Sequence, residues 1–472
     1  MENKYSMDNE YSIDNEDSID NKYSEVILLD KFVGRTAEMK FLEQHYAMEG
    51  SQLLVVYGDR GVGKTRLLKE FCKGKKSAYY LARACSAREQ LAQWSAELKE
   101  AGVELARFPE WAELLPAVLP QTAGKQVLVI DEFHHTVKGD AGAFEALVRF
   151  VEDRLLSRPI MIVLVTSASG WVENSMVGKL GAKAASIAGF LKLRELPFKC
   201  MRELFPEYGM EDALGCYAVL GGVPDYWNCF SEKYGARENI IRNVLSKNSR
   251  LYGALTVFME QELREPGVYN TILAAMAAGC NKLNDIYRHT GFSRAKISVY
   301  LKNLMELDLV EKVYSYETAG RGNMQKGVYR ILGSYVRFYF KYIFPNQSAL
   351  EQLTPEEFYS AKVEDSFALF AEEAYRAACR EDVAREYKNA GEWLGKTGSL
   401  DIVASDGQGR LCVAACCYAR KMAYGDYEWL LFSMKKARIK QCSVRLYCER
   451  GFDGALMEAA EKGKLRLMRI GD

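Results

Sequence analysis

Residues 58–65 read Gly-Asp-Arg-Gly-Val-Gly-Lys-Thr and match the pattern G-x-x-x-x-G-K-[ST] of a phosphate-binding loop. The apolar run at residues 53–57 before the pattern predicts a buried parallel strand, and residues 66–71 after it predict a helix. Glycines let the backbone curl so that successive N–H groups point at phosphates, and the positive end of the following helix adds to the attraction. The sequence therefore predicts a strand–loop–helix nucleotide site in an α/β fold.

An acidic pair lies where such a site needs it. The apolar run at residues 127–130 ends in Asp131 and Glu132. A carboxylate at the tip of a strand beside a phosphate loop can hold Mg²⁺, so we expect Asp131 and the Thr65 hydroxyl to be the metal residues. Glu132 is then placed to orient or polarise an attacking water. For either acid alone, an ordinary acidic turn at a strand end is the alternative interpretation.

A third apolar run, residues 160–165, ends in Thr-Ser-Ala-Ser. The Ser167 hydroxyl could sense the γ-phosphate there, but serines at strand ends are also common turn formers, and the sequence leaves both interpretations open. The predicted catalytic residues are Lys64, Asp131, Glu132 and Ser167.

Composition limits the classes of partner and the compartment. The 472 residues contain 63 Lys+Arg and 63 Asp+Glu, so no global basic field attracts nucleic acid and any such contact must come from a local patch. Twelve cysteines without a repeating framework predict free thiols in a reducing cytoplasm. Because no apolar run approaches 18 residues, we expect a soluble protein that makes no membrane contact. The pair His134-His135 is predicted to lie in a loop rather than to bind metal.

The predicted organisation is a succession of units that differ in pattern. The first is an acidic repeat rich in Asn and Ser, and the second alternates strands and helices, with further strands at residues 78–81 and 191–196. The third is mostly helical and contains Gly221-Gly222-Val223-Pro224, which is either a helix stop or a hinge between core and lid. The predicted units are a disordered tail (1–25), a nucleotide-binding α/β core with a parallel sheet (26–200), a helical lid (201–262), a winged helix-turn-helix (263–346) and a small α/β domain (354–472).

The fourth unit is predicted from three helical segments followed by two strand-like segments, the pattern of a winged helix-turn-helix. These segments are residues 269–276, 282–290, 293–306, 309–313 and 327–331. The third helix carries Arg294, Lys296 and Lys302, and the turn between the strands carries Arg321 and Lys326. These cations suit DNA contact, whereas the neutral overall charge also suits a packing or protein-binding module.

The last unit opens with a helix predicted at residues 354–380. Strands at residues 399–404, 411–416 and 443–448 and a helix at 429–438 complete a small α/β domain.

Together these motifs resemble the archaeal-type ATPases, relatives of the signal-transduction ATPases with numerous domains. Residues 32–35 with Glu38 resemble the family's F-V-G-R-x-x-E motif, which packs near adenine. The phosphate loop, the VLVIDEF strand end and the Leu-Gly-Gly-Val-Pro cluster at residues 220–224 follow in the same order. Residues 262–266 and 337–340 also match the segments that enter and leave the family's winged helix.

The resemblance implies a P-loop NTPase fold with ATP and Mg²⁺ as ligands. Such ATPases usually act as homo-oligomers or with protein partners that supply an arginine in trans. Arg154 and Arg158 are candidates for that arginine, and salt bridging within the core is the alternative role. The residues expected to contact the nucleotide are Val33, Gly34, Arg35, Gly58, Asp59, Arg60, Gly61, Val62, Gly63, Lys64, Thr65, Arg66 and Pro224.

The family's C-terminal domain resembles a PD-(D/E)xK nuclease, a restriction-endonuclease-like fold. Glu364 matches the helix acid and Asp401 the metal-binding aspartate of that pattern. Ala415 stands where the second metal-binding Glu belongs, and Cys417 where the Lys belongs. Because an ion would then have too few carboxylates, we expect this domain to be catalytically inactive.

Three functions follow from these patterns. The first is an ATP-binding, slowly hydrolysing switch whose winged helix contacts DNA or protein. The second is an ATP-responsive DNA-binding regulator without significant turnover, and the third is an ATP-gated nuclease.

Overall fold

The structure is a computed structural model that describes residues 31–100, 102–118, 124–152, 159–263, 265–316 and 327–471. Several sequence predictions lie outside the described residues: the tail at residues 1–25, Arg154, Arg158, Arg321 and Lys326.

Five strands of the described chain form a parallel sheet in the order β2-β3-β4-β1-β5. They are β1 (Gln52–Tyr57), β2 (Ser77–Leu81), β3 (Gln126–Asp131), β4 (Ile160–Thr166) and β5 (Gly189–Lys192). In β1, Leu53 and Val55 face one layer of apolar residues, and Leu54 and Val56 face the other. Helices therefore cover both faces, as expected of a parallel sheet with continuous apolar runs.

The prediction of a last strand at residues 191–196 was wrong in its bounds, because β5 ends at Lys192. The backbone N–H of Leu193 still donates to the carbonyl of Tyr57 over 2.7 Å, but that of Leu196 donates to Gly222 over 2.7 Å. The chain leaves the sheet at this point because its hydrogen bonds transfer to the helical layer.

Short and medium helices surround the sheet. In chain order they are α1 (Thr36–Ala47), α2 (Lys64–Cys72), α3 (Ala87–Glu100), α4 (Trp111–Ala117), α5 (His134–Gly139), α6 (Ala141–Glu152), α7 (Ser169–Trp171), a π-helical turn (Val172–Met176), α8 (Val177–Leu180) and a 3₁₀ helix (Gly181–Ser186). The loop predicted for His134 and His135 was wrong, since both residues begin α5.

The region predicted as a lid is a helical layer built around one buried helix. Its elements are α9 (Phe198–Leu204), α10 (Met210–Leu220), α11 (Pro224–Trp227), α12 (Ala236–Ile240), a π-helical turn (Ile241–Leu245) and α13 (Ala254–Glu262). Every residue of α10 from Ala213 to its end is buried. Its hydrophobic cluster continues into the units that follow, so this layer joins the sheet domain to the rest of the chain.

A compact unit of three helices and an antiparallel strand pair follows within the described residues. It consists of α14 (Pro266–Ala277), α15 (Leu283–Thr290), α16 (Arg294–Glu306), β6 (Val310–Val313) and β7 (Val328–Ile331). Ser293 caps α16, because its side chain accepts a hydrogen bond from the backbone N–H of Lys296. We call these elements the three-helix unit.

The C-terminal part begins with helices and ends in a mixed sheet of order β12-β11-β10-β9-β8. Its elements are α17 (Ser334–Phe338), a π-helical turn (Tyr339–Ile343), a 3₁₀ turn (Phe344–Asn346), α18 (Gln347–Gln352), α19 (Pro355–Lys362), α20 (Glu364–Val383), β8 (Asn389–Leu394), β9 (Ser399–Ser405), β10 (Leu411–Cys416), α21 (Tyr424–Lys436), β11 (Ser443–Tyr447), α22 (Gly454–Glu461) and β12 (Arg466–Met468). The single helix predicted at residues 354–380 was wrong. The chain bends at Val363, whose φ of −112° breaks the helical geometry and whose side chain is fully buried.

None of the helices in the described ranges is both long and apolar enough to cross a membrane.

The turn at Gly222 gives a first testable prediction. A Cβ added there would lie 2.0 Å from the carbonyl oxygen of Leu196. That oxygen belongs to the backbone, so it cannot move aside as the end of a flexible side chain could. We expect Gly222→Ala to lower the free energy of unfolding in urea by about 1–3 kcal/mol.

The matched control is Gly267→Ala in the first turn of α14, where an added Cβ meets nothing within 4 Å. That change is expected to be neutral or to stabilise by up to about 1 kcal/mol. Equal effects of the two substitutions would contradict the proposed backbone contact.

Candidate nucleotide site

The phosphate loop is held open by glycines in conformations that other residues rarely adopt. Gly63 has a φ of 95° and precedes Lys64, the first residue of α2. At Gly58, with a φ of 152°, an added Cβ would lie 2.3 Å from the carbonyl oxygen of Leu193. The loop therefore depends on glycine, and the N-terminus of α2 points into it, an arrangement that attracts anions.

Lys64 lies at the centre of this loop and is buried. Its Nζ donates to the carbonyl oxygens of Gly58 over 2.7 Å and Asp59 over 2.8 Å. Burial lowers the pKa of Lys64, while the neighbouring carboxylates Glu132, Asp131 and Asp59 act in the opposite direction. The ammonium group is thus held by two carbonyls whose place a phosphate oxygen can take.

The two predicted metal residues lie together. The Thr65 hydroxyl donates to Oδ2 of Asp131 over 2.8 Å, across the gap between α2 and the end of β3. Asp131 is only 4% exposed, so its charge requires partners. Oxygen atoms of this kind are the ligands that Mg²⁺ prefers.

Sequence reasoning missed a third partner of this carboxylate. The Tyr79 hydroxyl donates to the same oxygen of Asp131 over 2.6 Å. Burial and the Asp131 carboxylate raise the pKa of Tyr79, so the phenol stays a donor. The signal available in the sequence was the strand at residues 78–81, which pairs with β3.

Glu132 is fixed in an unusual backbone conformation, with a φ of 50°. Its Oε2 accepts hydrogen bonds from the Ser167 backbone N–H over 3.0 Å and the Ser167 hydroxyl over 2.9 Å, and lies 3.2 Å from Nδ1 of His134. Burial acts to raise the pKa of Glu132, but these hydrogen bonds outweigh burial and lower it to about 2. Glu132 is therefore an ionised, oriented acceptor at neutral pH.

These contacts give Ser167 and His134 a positioning role. Ser167, predicted either to sense the γ-phosphate or to form a turn, lies at the end of β4 and donates both its groups to Glu132. His134, for which no role at the site was predicted, also contacts the Thr166 hydroxyl over 2.8 Å.

Arg35 joins the N-terminal motif to the phosphate loop. Its guanidinium donates to the carbonyl oxygens of Val62 over 2.7 Å and Arg194 over 2.8 Å, and it pairs with Glu38 over 2.9 Å. Gly34 has a φ of 71° and packs where a Cβ would lie 2.3 Å from Sγ of Cys200. Gly34 and Arg35 therefore hold the backbone next to the phosphate loop in place.

A cavity of about 490 Å³ lies at this site and is lined by part of the phosphate loop, by Asp131 and Glu132 and by Arg35. Val33 and Pro224 line it, whereas Gly34, Gly58 and Asp59, also expected to contact the nucleotide, are outside its described lining. Phe32, Leu196 and Leu204 add apolar lining that the sequence did not reveal. The described residues around it are Lys31, Phe32, Val33, Arg35, Arg60, Gly61, Val62, Gly63, Lys64, Thr65, Arg66, Asp131, Glu132, Leu196, Leu204, Pro224, Asp225 and Asn228. Its size lies in the range of small-molecule sites.

The acids that a nuclease-like site would need do not meet. Oδ2 of Asp401 accepts from the backbone N–H of Cys416 over 3.0 Å, and Oδ1 lies 3.3 Å from Nε of Arg376. Glu364 instead lies 3.6 Å from Nε of Arg237, and on α20 it is separated from Arg376 by roughly 18 Å of helix. Glu364 and Asp401 therefore do not lie together in the structure.

Comparison with known proteins agrees with the phosphate-loop geometry. Residues 32–228 match a family described as an ATPase domain predominantly from Archaea. Residues 339–427 match a second family, described as Archaea bacterial proteins of unknown function.

Two curated relatives come from Methanocaldococcus jannaschii. An uncharacterized protein is 26% identical over 321 residues, which cover 68% of this chain and 71% of that protein. An uncharacterized ATP-binding protein is 44% identical over 45 residues, or 10% of this chain and 76% of that protein.

Two solved structures are similar in part. A Walker-type ATPase of Pyrococcus abyssi has a TM-score of 0.49 and 16% identity, covering 65% of this chain and 95% of its own. The ORC2 protein of Aeropyrum pernix, solved as ADPNP–ADP complexes, has a TM-score of 0.45 and 15% identity. The match covers 68% of this chain and 96% of the ORC2 chain.

The Thr65–Asp131 pair predicts how the site depends on metal. We expect Asp131→Asn to fold normally, because an amide oxygen can still accept from Thr65 and Tyr79. It should weaken Mg²⁺-dependent binding of a fluorescent ATP analogue by about tenfold or more, with little effect on binding in EDTA.

Asp365→Asn, an exposed change on α20, is the control and should leave both affinities unchanged. An equal loss with and without Mg²⁺ would argue against a metal role for Asp131.

Proposed function

We propose that the chain binds ATP with Mg²⁺, hydrolyses it slowly, and passes the state of the nucleotide to the three-helix unit. The observation that carries this proposal is the contact between the end of α16 and the phosphate loop. The ATPase-domain match and the geometry around Lys64, Thr65 and Asp131 support the nucleotide part.

The hydrolytic part rests on Glu132. Its carboxylate is fixed by Ser167 and His134 and lines the same cavity as the phosphate loop. With a pKa of about 2 it is a weak base, so it orients the attacking water rather than holding a proton in the resting state. Slow turnover is the expected consequence, and a partner that supplies an arginine would raise it.

The junction between the nucleotide site and the three-helix unit is built from backbone. At Gly170, just after the end of β4, an added Cβ would lie 2.0 Å from the carbonyl oxygen of Glu306 at the end of α16. Asp308 follows with a φ of 53° and lies within hydrogen-bonding reach of Asp59, the second residue of the phosphate loop. The Ser169 hydroxyl donates a hydrogen bond to Oδ1 of Asp59 over 3.4 Å.

Two carboxylates in contact repel each other, and a shared proton or a nearby cation relieves that repulsion. Lys192 is such a cation near both groups, and it acts to lower the pKa of Asp59. Burial, followed by the Asp308 carboxyl, raises the pKa of Asp59 to about 7. The main chain of Asp59 is also held by Lys64. A bound phosphate competes for Lys64, so ATP releases the Asp59 carbonyl and loosens the contact with Asp308.

We interpret the three-helix unit as a winged helix whose exposed cations meet DNA or an acidic protein surface. The Arg294 guanidinium stacks over the Tyr287 ring at 4.3 Å, and Lys302 is exposed, 3.9 Å from Glu306. Lys296 lies over the rings of Phe292 and Tyr300. These contacts are local to α15 and α16, so the charges stay at the surface for a partner.

The second candidate function is an ATP-responsive DNA-binding regulator without turnover. It uses the same contact between Asp59 and Asp308, but Glu132 does not support hydrolysis in it. An ATP-gated nuclease is disfavoured, because Arg376 lies against Asp401 in the place of a metal ion.

Steady-state ATP hydrolysis, with and without duplex DNA, tests the enzymatic part. We expect Glu132→Gln to retain ATP binding and to reduce turnover by about 10²–10³-fold. Lys64→Ala should instead abolish tight ATP binding. Tight binding by wild type with no turnover in either condition would favour the regulator over the enzyme.

The shared proton predicts a pH dependence of stability. The folded-state pKa of Asp59 lies above its usual value near 3.8, so the folded protein binds more protons between about pH 4 and 7. This contribution to stability is full below about pH 4, is lost as the pH rises to about 7, and totals on the order of 4 kcal/mol for a pKa raised from 3.8 to about 7.

Asp308→Asn should make this dependence shallower in urea unfolding, because an amide donates to the Asp59 carboxylate without a shared proton, whereas the part that burial causes remains. Asn also tolerates the positive φ at this position. The control Asp285→Asn, on the same unit, should keep the wild-type slope. A wild-type slope in Asp308→Asn would contradict the pairing.

A further inference from the structure

A second cavity, remote from the phosphate loop, lies between the three-helix unit and the C-terminal domain. Its volume is about 400 Å³, and it is bounded by the end of α14, by β7, by α17 with the turn after it, and by α20. Four cationic side chains line it, whereas its described lining contains one carboxylate, Glu373. The cations are Arg330, Arg337, Lys341 and Arg376.

Glu373 does not satisfy the arginines around it. It lies 3.6 Å from Arg330, 3.8 Å from Arg376 and 4.0 Å from Arg337, all beyond hydrogen-bond length. Burial acts to raise the pKa of Glu373, but these arginines together lower it. One carboxylate is thus shared by three guanidinium groups.

Two acids behind the lining compensate only two of the cations. Glu392 accepts from Arg330 over 2.6 and 2.8 Å, and Asp401 lies 3.3 Å from Nε of Arg376. Nε of Arg376 is buried and makes no hydrogen bond within the described residues. With these pairs set aside, Arg337 and Lys341 remain beside Glu373, and Glu195, outside the lining, also lies near Arg337. The described lining itself carries four cations against one carboxylate.

The environment of Arg337 favours an additional anionic partner. Its side chain is 21% exposed, and burial lowers its pKa. Its hydrogen-bond partner among the described residues is the Ser334 hydroxyl at 3.1 Å. A guanidinium that is partly desolvated and lacks a good anionic partner gains from any anion that enters.

The cavity also has an apolar part. Met276, Leu369 and Phe370 line it, and the Leu369 side chain is 70% exposed. A ligand with an anionic head and a flat apolar body would cover this part while its head meets the cations.

We propose that this cavity binds a small phosphorylated molecule of nucleoside-monophosphate size, with its phosphate among Arg337, Lys341 and Arg376. Arginine presents paired donors that match phosphate oxygens, and the volume falls in the range of small-ligand sites. A nucleic-acid duplex suits the cavity less well, because the deepest donors, Arg330 and Arg337, are only 24% and 21% exposed. A ligand here would touch both the three-helix unit and α20.

The test uses the full chain carrying Lys64→Ala, so that the phosphate loop does not bind tightly. AMP and inorganic phosphate are titrated separately by calorimetry. We expect AMP to bind once, more tightly than phosphate does. Lys341→Ala and Arg376→Gln, each added to Lys64→Ala, should weaken AMP binding by about fivefold or more.

Lys362→Ala is the matched control, an exposed lysine at the end of α19 outside the cavity lining. It should leave AMP affinity unchanged, and circular dichroism checks that every variant folds. Lys341 is exposed, so its substitution keeps the test valid even if Arg376→Gln misfolds.

The proposal is overturned if AMP does not bind up to about 10 mM, or if Lys341→Ala binds AMP as the control does. Phosphate binding as tight as AMP would overturn the assignment to an organic phosphate. Displacement of AMP by a short DNA duplex would overturn it in favour of nucleic acid.

Discussion

The four residues from Leu193 to Leu196 constrain the rest of the structure, because they touch the phosphate loop at one end and the helical layer at the other. The carbonyl of Leu193 packs directly against Gly58, so closely that a Cβ at Gly58 would clash with it. The amide of Leu196 donates to Gly222, whose own Cα lies against Leu196. Since both contacts are backbone to backbone, neither side can move far without the other. The shape of the nucleotide site is therefore tied to the packing of the helical layer.

The three-helix unit is tied to the same site from the other side. The backbone of Glu306, at the end of α16, packs against Gly170, and the Asp308 side chain contacts Asp59 of the phosphate loop. If the hydrogen bond from Lys64 to the Asp59 carbonyl breaks, Asp59 can shift and change its contact with Asp308, just after the end of α16. In the proposed account, the two carboxyl groups form a contact that is weak enough to respond to a nucleotide, because a shared proton stabilises it only marginally near neutral pH.

The sequence predicted what depends on local pattern. The phosphate loop, Asp131 and most strands were found because apolar runs and glycine spacing report on neighbours in the chain. It could not predict the partners that folding brings from afar, such as Tyr79 on Asp131 or Asp308 on Asp59. It also misplaced the end of β5 and missed the bend at Val363, since tertiary contacts and burial decide both.

Hydrogen exchange measured by mass spectrometry on Glu132→Gln, with and without ATP and Mg²⁺, tests the central claim most directly. If the nucleotide controls the contact between Asp59 and Asp308, bound ATP will slow exchange in residues 58–66 and speed it in residues 305–310. The second change will be absent in Lys64→Ala. Protection of the phosphate loop with unchanged exchange at residues 305–310 would contradict the account.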